Sequence, residues 1–169
     1  MESGCEQGNE NIYFACRKRA AIYNERLNSR DEAAELLGIS TSSLSNHELG
    51  ITKNVPVDTV VMMADLYRAP ELRNHYCKHE CPIGKFLPIS TVVDNIERVT
   101  VKLLSKMDTD GMEWMKTKLL NIAAKGKLDK EDHCDISEII RRLDGITEVA
   151  SQLKILAEKQ EECDRYGTC

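Results

Sequence analysis

Apolar residues recur at steps of three and four along most of the chain, and that spacing predicts helices almost throughout. Ile12, Ala15, Cys16, Ala20, Tyr23 and Leu27 make the first such set and predict a helix over residues 11–26. Residues 1–10, MESGCEQGNE, carry no period and predict a frayed arm. Asn28 or Ser29 can cap a second helix with Asp31 and Glu32 in its first turn, and Gly38 ends it. Ser40 caps a third short helix from Thr41 to Leu49, closed by Gly50. Pro56 suits the first turn of a fourth, whose apolar set is Val57, Val60, Val61, Ala64 and Leu66. A fifth runs from Glu71 to about Cys81, and Ile83 to Pro88 is an extended connector.

Beyond the connector the helices lengthen. Ile89, Val92, Val93, Ile96, Val99, Leu103 and Met107 make one stripe, and Met112, Met115, Leu119 and Ile122 make another that stops near Gly126. Ile136, Ile139, Leu143, Ile146, Ala150 and Leu153 then alternate steps of three and four, the pattern of a helix–helix seam. Aromatic residues are 5% of the chain and charged ones 30%, a balance that fits an all-α protein better than a sandwich or barrel. The organisation predicted is an arm at 1–10, a first domain at 11–76, a Cys-containing connector at 77–88, a helical domain at 89–163 and a frayed tail at 164–169.

The 169 residues carry 23 Lys and Arg against 28 Asp and Glu, a net charge of −5. Acidity of this kind argues against general affinity for nucleic acid, but what matters is where the cations sit, and Arg17, Lys18, Arg19, Arg26 and Arg30 gather beside one segment. The chain has no run near 20 apolar residues, and residues 1–10 lack the basic and apolar regions of a signal peptide, so the cytoplasm is the expected compartment and no membrane the expected partner. Seven cysteines cannot form a closed set of intramolecular bridges, and reduced thiols are expected there.

Residues 29–50, SRDEAAELLGISTSSLSNHELG, concentrate the functional signal. Ala34 is small where two helices must cross closely, Gly38 fits a left-handed turn, Leu37, Ile39 and Leu44 fill the wedge between the helices, and Glu48 and Gly50 close the second helix. This segment resembles the helix-turn-helix of the phage Cro and lambda-repressor type, the xenobiotic-response-element family of regulators. The likeness extends over about residues 11–75. It implies a five-helix lambda-repressor-like DNA-binding domain whose third helix enters the major groove. On that resemblance Thr41, Ser42, Ser43, Ser45 and Asn46 face the bases, with Asn46 suited to a bidentate pair with adenine. Arg30 falls at a phosphate-contacting position, flanked by Arg17, Lys18 and Arg19. The family pairs an Arg near the end of the first helix with the acid found here as Glu48, and Arg19 or Arg26 is the expected partner.

His75, Cys77, His79 and Cys81 offer metal-ligand chemistry within seven residues. On a helix Cys77 and Cys81 share one face and the two histidines the nearly opposite one, so four ligands cannot close on one ion. Zinc or another metal at Cys77 and Cys81 would need further ligands. The alternatives are simple packing and a thiol redox pair, and no cofactor is otherwise expected. Residues 89–169 show no nucleophile–base pair and no phosphate loop, so an enzyme is not expected. The expectation is a transcriptional regulator, a repressor binding double-stranded operator DNA as a homodimer. Its second domain is expected to dimerise through the 136–153 seam and to receive an effector peptide or protein. The alternative is an antitoxin or anti-repressor acting mainly through the C-terminal helices.

Overall fold

A computed structural model of the chain describes residues 11–167, and among these residues all regular structure is helical. The arm expected at residues 1–10, with Cys5, and the last two residues lie outside the described part. The described chain divides into two compact units, residues 11–85 with 158–167, and residues 86–157. The division departs from the expected boundaries in one respect: the end of the last helix belongs with the first unit.

The first unit opens with α1 (Ile12–Ala20), whose N-terminus is capped by Asn11 through its side chain and the Tyr13 N–H. This helix is shorter than its apolar spacing predicts. The chain turns at Ala21–Tyr23 and enters a 3-10 turn over Glu25–Asn28, held there because the Arg17 guanidinium donates to the carbonyls of Leu27 and Asn28. Ser29 caps α2 (Arg30–Leu37), and Gly38, at φ +64°, supplies the left-handed residue that ends it. Ser40 then caps α3 (Thr41–Glu48), accepting from Ser43 N–H at 3.1 Å. Pro56 precedes α4 (Val57–Leu66), and α5 (Glu71–His79) follows Pro70.

The first unit's core is built mainly from small and medium apolar residues. Ala33 and Ala34 let α2 pack closely, and Leu27, Leu37, Leu44, Met63 and Leu72 fill the interior. On α4 the buried face is Thr59, Val60, Met63 and Ala64, whereas Val57 and Val61, expected inward, are exposed. The last turns of α8 (His133–Tyr166) are tied to this unit by Arg73 with Glu158 and by Lys159, whose Nζ lies 3.1 Å from Glu71. The expected tail is thus helical through Tyr166.

The second unit contains α6 (Ile96–Lys106), α7 (Thr109–Lys125) and the first part of α8. Asn95 caps α6, so that helix begins seven residues later than its apolar stripe suggests. The preceding Ser90 is held instead by Ser151 and Gln152, each at 3.0 Å. The buried apolar residues of this unit are few, Val99, Met115, Ile139, Val149 and Ile155. Ile96, Val101, Leu104, Leu119, Leu120, Ile140 and Leu143 are exposed. The expected seam is therefore not one outward stripe. Ile139 belongs to the unit's own core and is not offered to a partner, Ile136, Ile146 and Ala150 are half-buried, and Leu143 and Leu153 face solvent. The buried line turns around α8 because Val149, Gln152 and Ile155 take over from Ile139.

Truncating Leu44, 0% exposed, to alanine should cost about 2–5 kcal/mol of unfolding free energy, and Leu49→Ala, at a residue 61% exposed, less than about 0.5 kcal/mol. Denaturant unfolding measures both; equal losses would contradict the placement of α3.

Candidate nucleic-acid interface

Glu48 ends α3 with a carboxylate that has no solvent access, and a buried carboxylate needs cations beside it. Arg17, itself 1% exposed, meets it in a bidentate pair: Nε donates to Oε1, and Nη2 to Oε2 at 2.9 Å. The remaining Arg17 nitrogen donates to Leu27 O at 2.7 Å. Arg30, in the first turn of α2, adds its Nε at 2.6 Å from Oε2. The Phe14 ring lies under both guanidinium groups, at 5.4 and 5.6 Å from its centroid. One carboxylate thus ties α1, α2 and α3 together.

This arrangement corrects two expectations. The partner of Glu48 is Arg17 rather than Arg19 or Arg26, and Arg17 cannot contact phosphate because its guanidinium is spent inside the fold. Arg19 points elsewhere. Two residues on from Arg17, about 200° around α1, it pairs with the buried Glu71 of α5, which also receives Lys159. Arg26 is exposed and pairs with Glu35 at 2.9 Å. Lys18 is exposed, with its ammonium 3.3 Å from Asn28 O beside the start of α2. Lys18, Arg26 and Arg30 are the members of the basic run left beside the helix pair, Arg26 held to the carboxylates of α2.

Of the residues expected to face bases, Thr41, Ser42 and Asn46 are exposed, and Ser43 and Ser45 are half-buried. The hydroxyls at the start of α3 have partners within the protein. Thr41 donates to Asp31 at 2.8 Å, while Ser42 and Ser43 share hydrogen bonds with the Ser40 cap at 3.0 and 2.8 Å. Asn46 uses its backbone carbonyl to accept from Ile51 and Thr52, which leaves the side-chain amide on the exposed face. Ala34, Gly38 and Leu44 occupy the close crossing, the turn and the interior of this pair of helices.

A cleft of about 720 Å³ lies beside the end of α3, lined by Asn11, Tyr13, His47, Thr52, Lys53, His75 and Glu80 among others. Glu80 accepts from Tyr13 Oη and from Val55 N at 2.7 Å, an anchor that sequence spacing did not reveal. His47 is bonded to Thr52 at 3.0 Å, and its carbonyl accepts from Asn11. Burial holds the His47 imidazole below its ordinary value. The same cause, with the His79 ring 4.6 Å away, lowers His75, and Glu80 opposes both shifts. Among the described residues no group of three or more His, Cys, Asp or Glu is placed to hold a metal, and Cys77 and Cys81 are free thiols. No helix among them is long and apolar enough to cross a membrane. Comparison of the chain with family models, with curated proteins and with solved structures returns no match.

Glu48→Gln should destabilise the fold by about 3–5 kcal/mol, because it leaves Arg17 buried without its counter-charge; a loss below about 1 kcal/mol in chemical unfolding would contradict the buried pair. Histidines held neutral by burial stabilise the fold above their ordinary value of 6.5, and that stability is lost as pH falls through the lowered folded values. The unfolding midpoint should therefore drop as pH falls below about 6.5, and less so in a His47→Gln, His75→Gln protein. An identical pH profile in that variant would contradict the assignment.

Proposed function

We propose that the chain is a sequence-specific DNA-binding transcriptional regulator, with residues 29–50 acting as a helix-turn-helix of the Cro and lambda-repressor type within a five-helix domain. The observation that carries the reading is the Glu48 junction. It fixes the end of α3 against α1 and the start of α2 while leaving Thr41, Ser42 and Asn46 exposed. A rigid polar helix face of that kind suits base edges in a major groove. Asn46 is the residue best suited to a bidentate pair with adenine. Ser45 and the hydroxyls at the helix start are secondary readers, since Thr41, Ser42 and Ser43 would first have to leave or share their present partners. Lys18 and Arg30 are assigned to the phosphates, a small cationic set that predicts selective binding with weak general affinity for DNA. The mechanism is occupancy of an operator, a repressor's action in the cytoplasm, rather than catalysis.

Exposed apolar residues on α6, α7 and α8 support assembly through the second unit, because large apolar side chains left in water on a unit with so small a core gain by burial against a partner. A second copy is the occupant assigned, since readers of this type bind paired half-sites as two-fold dimers. The same exposed residues favour the alternative of a protein-interaction regulator, an antitoxin or anti-repressor, if their partner is another protein or an effector peptide.

Selection of duplexes from a random pool by the purified full chain tests the reading, followed by binding of the selected duplex to Asn46→Ala. The variant should bind about 1–3 kcal/mol more weakly and lose preference at one base pair, with its thermal midpoint unchanged. Failure to enrich any sequence, or equal binding by the variant, would overturn the reading.

A further inference from the structure

The turn from Cys77 to Gly84 is closed by backbone hydrogen bonds and by a close backbone approach. Cys77 lies near the end of α5 and Cys81 just beyond it, both half-buried. The N–H groups of Glu80 and Cys81 both donate to Tyr76 O at 2.9 Å, so the chain closes the end of α5 with one wider turn that carries Cys81. Gly84 N donates to Cys81 O at 3.1 Å, and a Cβ at Gly84 would overlap the Cys77 carbonyl, which is why the chain can close so tightly there. Of the seven cysteines, only Cys77 and Cys81 are one helical turn apart in sequence.

Residues four apart on a helix have Cα atoms about 6 Å apart along the axis and Cβ atoms about 5–6 Å apart. A disulfide accepts Cα separations of about 4.4–6.8 Å and wants Cβ atoms near 3.8 Å. α5 ends at His79, but Glu80 keeps a right-handed backbone, which holds Cys81 near the helical spacing from Cys77; from that ideal spacing, closure requires the two Cβ atoms to approach by about 1–2 Å. The residue that must move with Cys81 is its neighbour Glu80. That carboxylate holds Tyr13 of α1 and the N–H of Val55 ahead of α4.

We propose that Cys77 and Cys81 are a modification site, a dithiol that a hydroperoxide converts into a reversible intramolecular disulfide, and that closure draws Glu80 away from Tyr13 and Val55. One thiolate attacks a peroxide oxygen. The O–O bond breaks, a sulfenic acid forms, and water or an alcohol leaves with the thiol proton. The second sulfur attacks the sulfenic sulfur, and its proton departs with the expelled oxygen as water. The two sulfurs lose two electrons in all and the peroxide gains them. Burial and the neighbouring Cys81 sulfur push the Cys77 thiol up, so closure quickens as pH rises. The proposal stands independently of DNA binding.

Trypsin cuts after Arg73, Lys78 and Lys85, which places the two cysteines on separate peptides, NHYCK and HECPIGK. After treatment of the full chain with hydrogen peroxide and blocking of free thiols, mass spectrometry should find these peptides joined, two hydrogens lighter than their sum. Dithiothreitol should separate them, and Cys81→Ser should never give the joined pair. In a mixture of ¹⁵N-labelled and unlabelled protein, each joined pair should carry one label throughout. The oxidised wild type should also melt about 4–8 °C lower, the shift expected for losing roughly one well-made anchor, with Cys77→Ser unaffected by peroxide. Peptides that stay separate, carry sulfinic or sulfonic acid, or join across labels would overturn the site. A disulfide that leaves the melting midpoint unchanged would overturn the coupling to Glu80.

Discussion

A carboxylate without access to water is tolerable only where cations and hydrogen bonds replace its hydration, and Glu48 meets that condition through Arg17 and Arg30. Much of the first unit's geometry depends on this requirement. Arg17 reaches the carboxylate with two nitrogens and uses the third to collect the carbonyls of Leu27 and Asn28, so the chain after α1 must fold back before Ser29 can cap α2. Arg30 then fixes the first turn of α2 to the last turn of α3. The result is a helix pair whose relative position is set by charge as well as by the packing of Leu37 and Leu44. Its outer face is free of structural duty at Asn46.

Replacing a buried pair of this kind by apolar residues can be neutral or stabilising, so it is weak evidence for stability as such. Its contribution is better understood as geometry. An apolar contact would permit α3 to slide or roll by a fraction of a turn, whereas one guanidinium forked onto the carboxylate and a second bonded to its Oε2 allow one register. Base reading requires that definition, because a bidentate contact fails when its donor and acceptor shift by about an ångström. The second unit shows the opposite character. Its core is thin and its large apolar residues are spread over exposed faces.

Much of the first unit was legible in the spacing of apolar residues, caps and glycines. Ser29, Gly38 and Ser40 mark the ends of α2 and α3 where the structure has them, because capping is a local interaction that sequence displays directly. The partner of Glu48 differs from the sequence expectation for a physical reason. Arg17 shares a face with Tyr13, Cys16 and Ala20, and that apolar company signals burial, whereas its place between Cys16 and Lys18-Arg19 in sequence makes it look like part of one exposed basic run. The Glu80 anchor was hidden, since its partners Tyr13 and Val55 are 67 and 25 residues away and nothing local marks them. The late start of α6 was hidden for a similar reason. The apolar residues from Ile89 to Val93 keep a helical spacing, but Ser90 is committed to Ser151 and Gln152 on α8.

On the proposed function, α3, held by the Glu48 junction, presents residues 41–46 to DNA. Amide chemical shifts of the ¹⁵N-labelled full chain, followed while a selected duplex is added, test it directly. The largest changes should fall on Thr41 to Asn46, with smaller ones at Lys18 and Arg30 and none in the core of the second unit. Saturable binding that leaves residues 41–46 unmoved, or that shifts mainly α6 and α7, would contradict it.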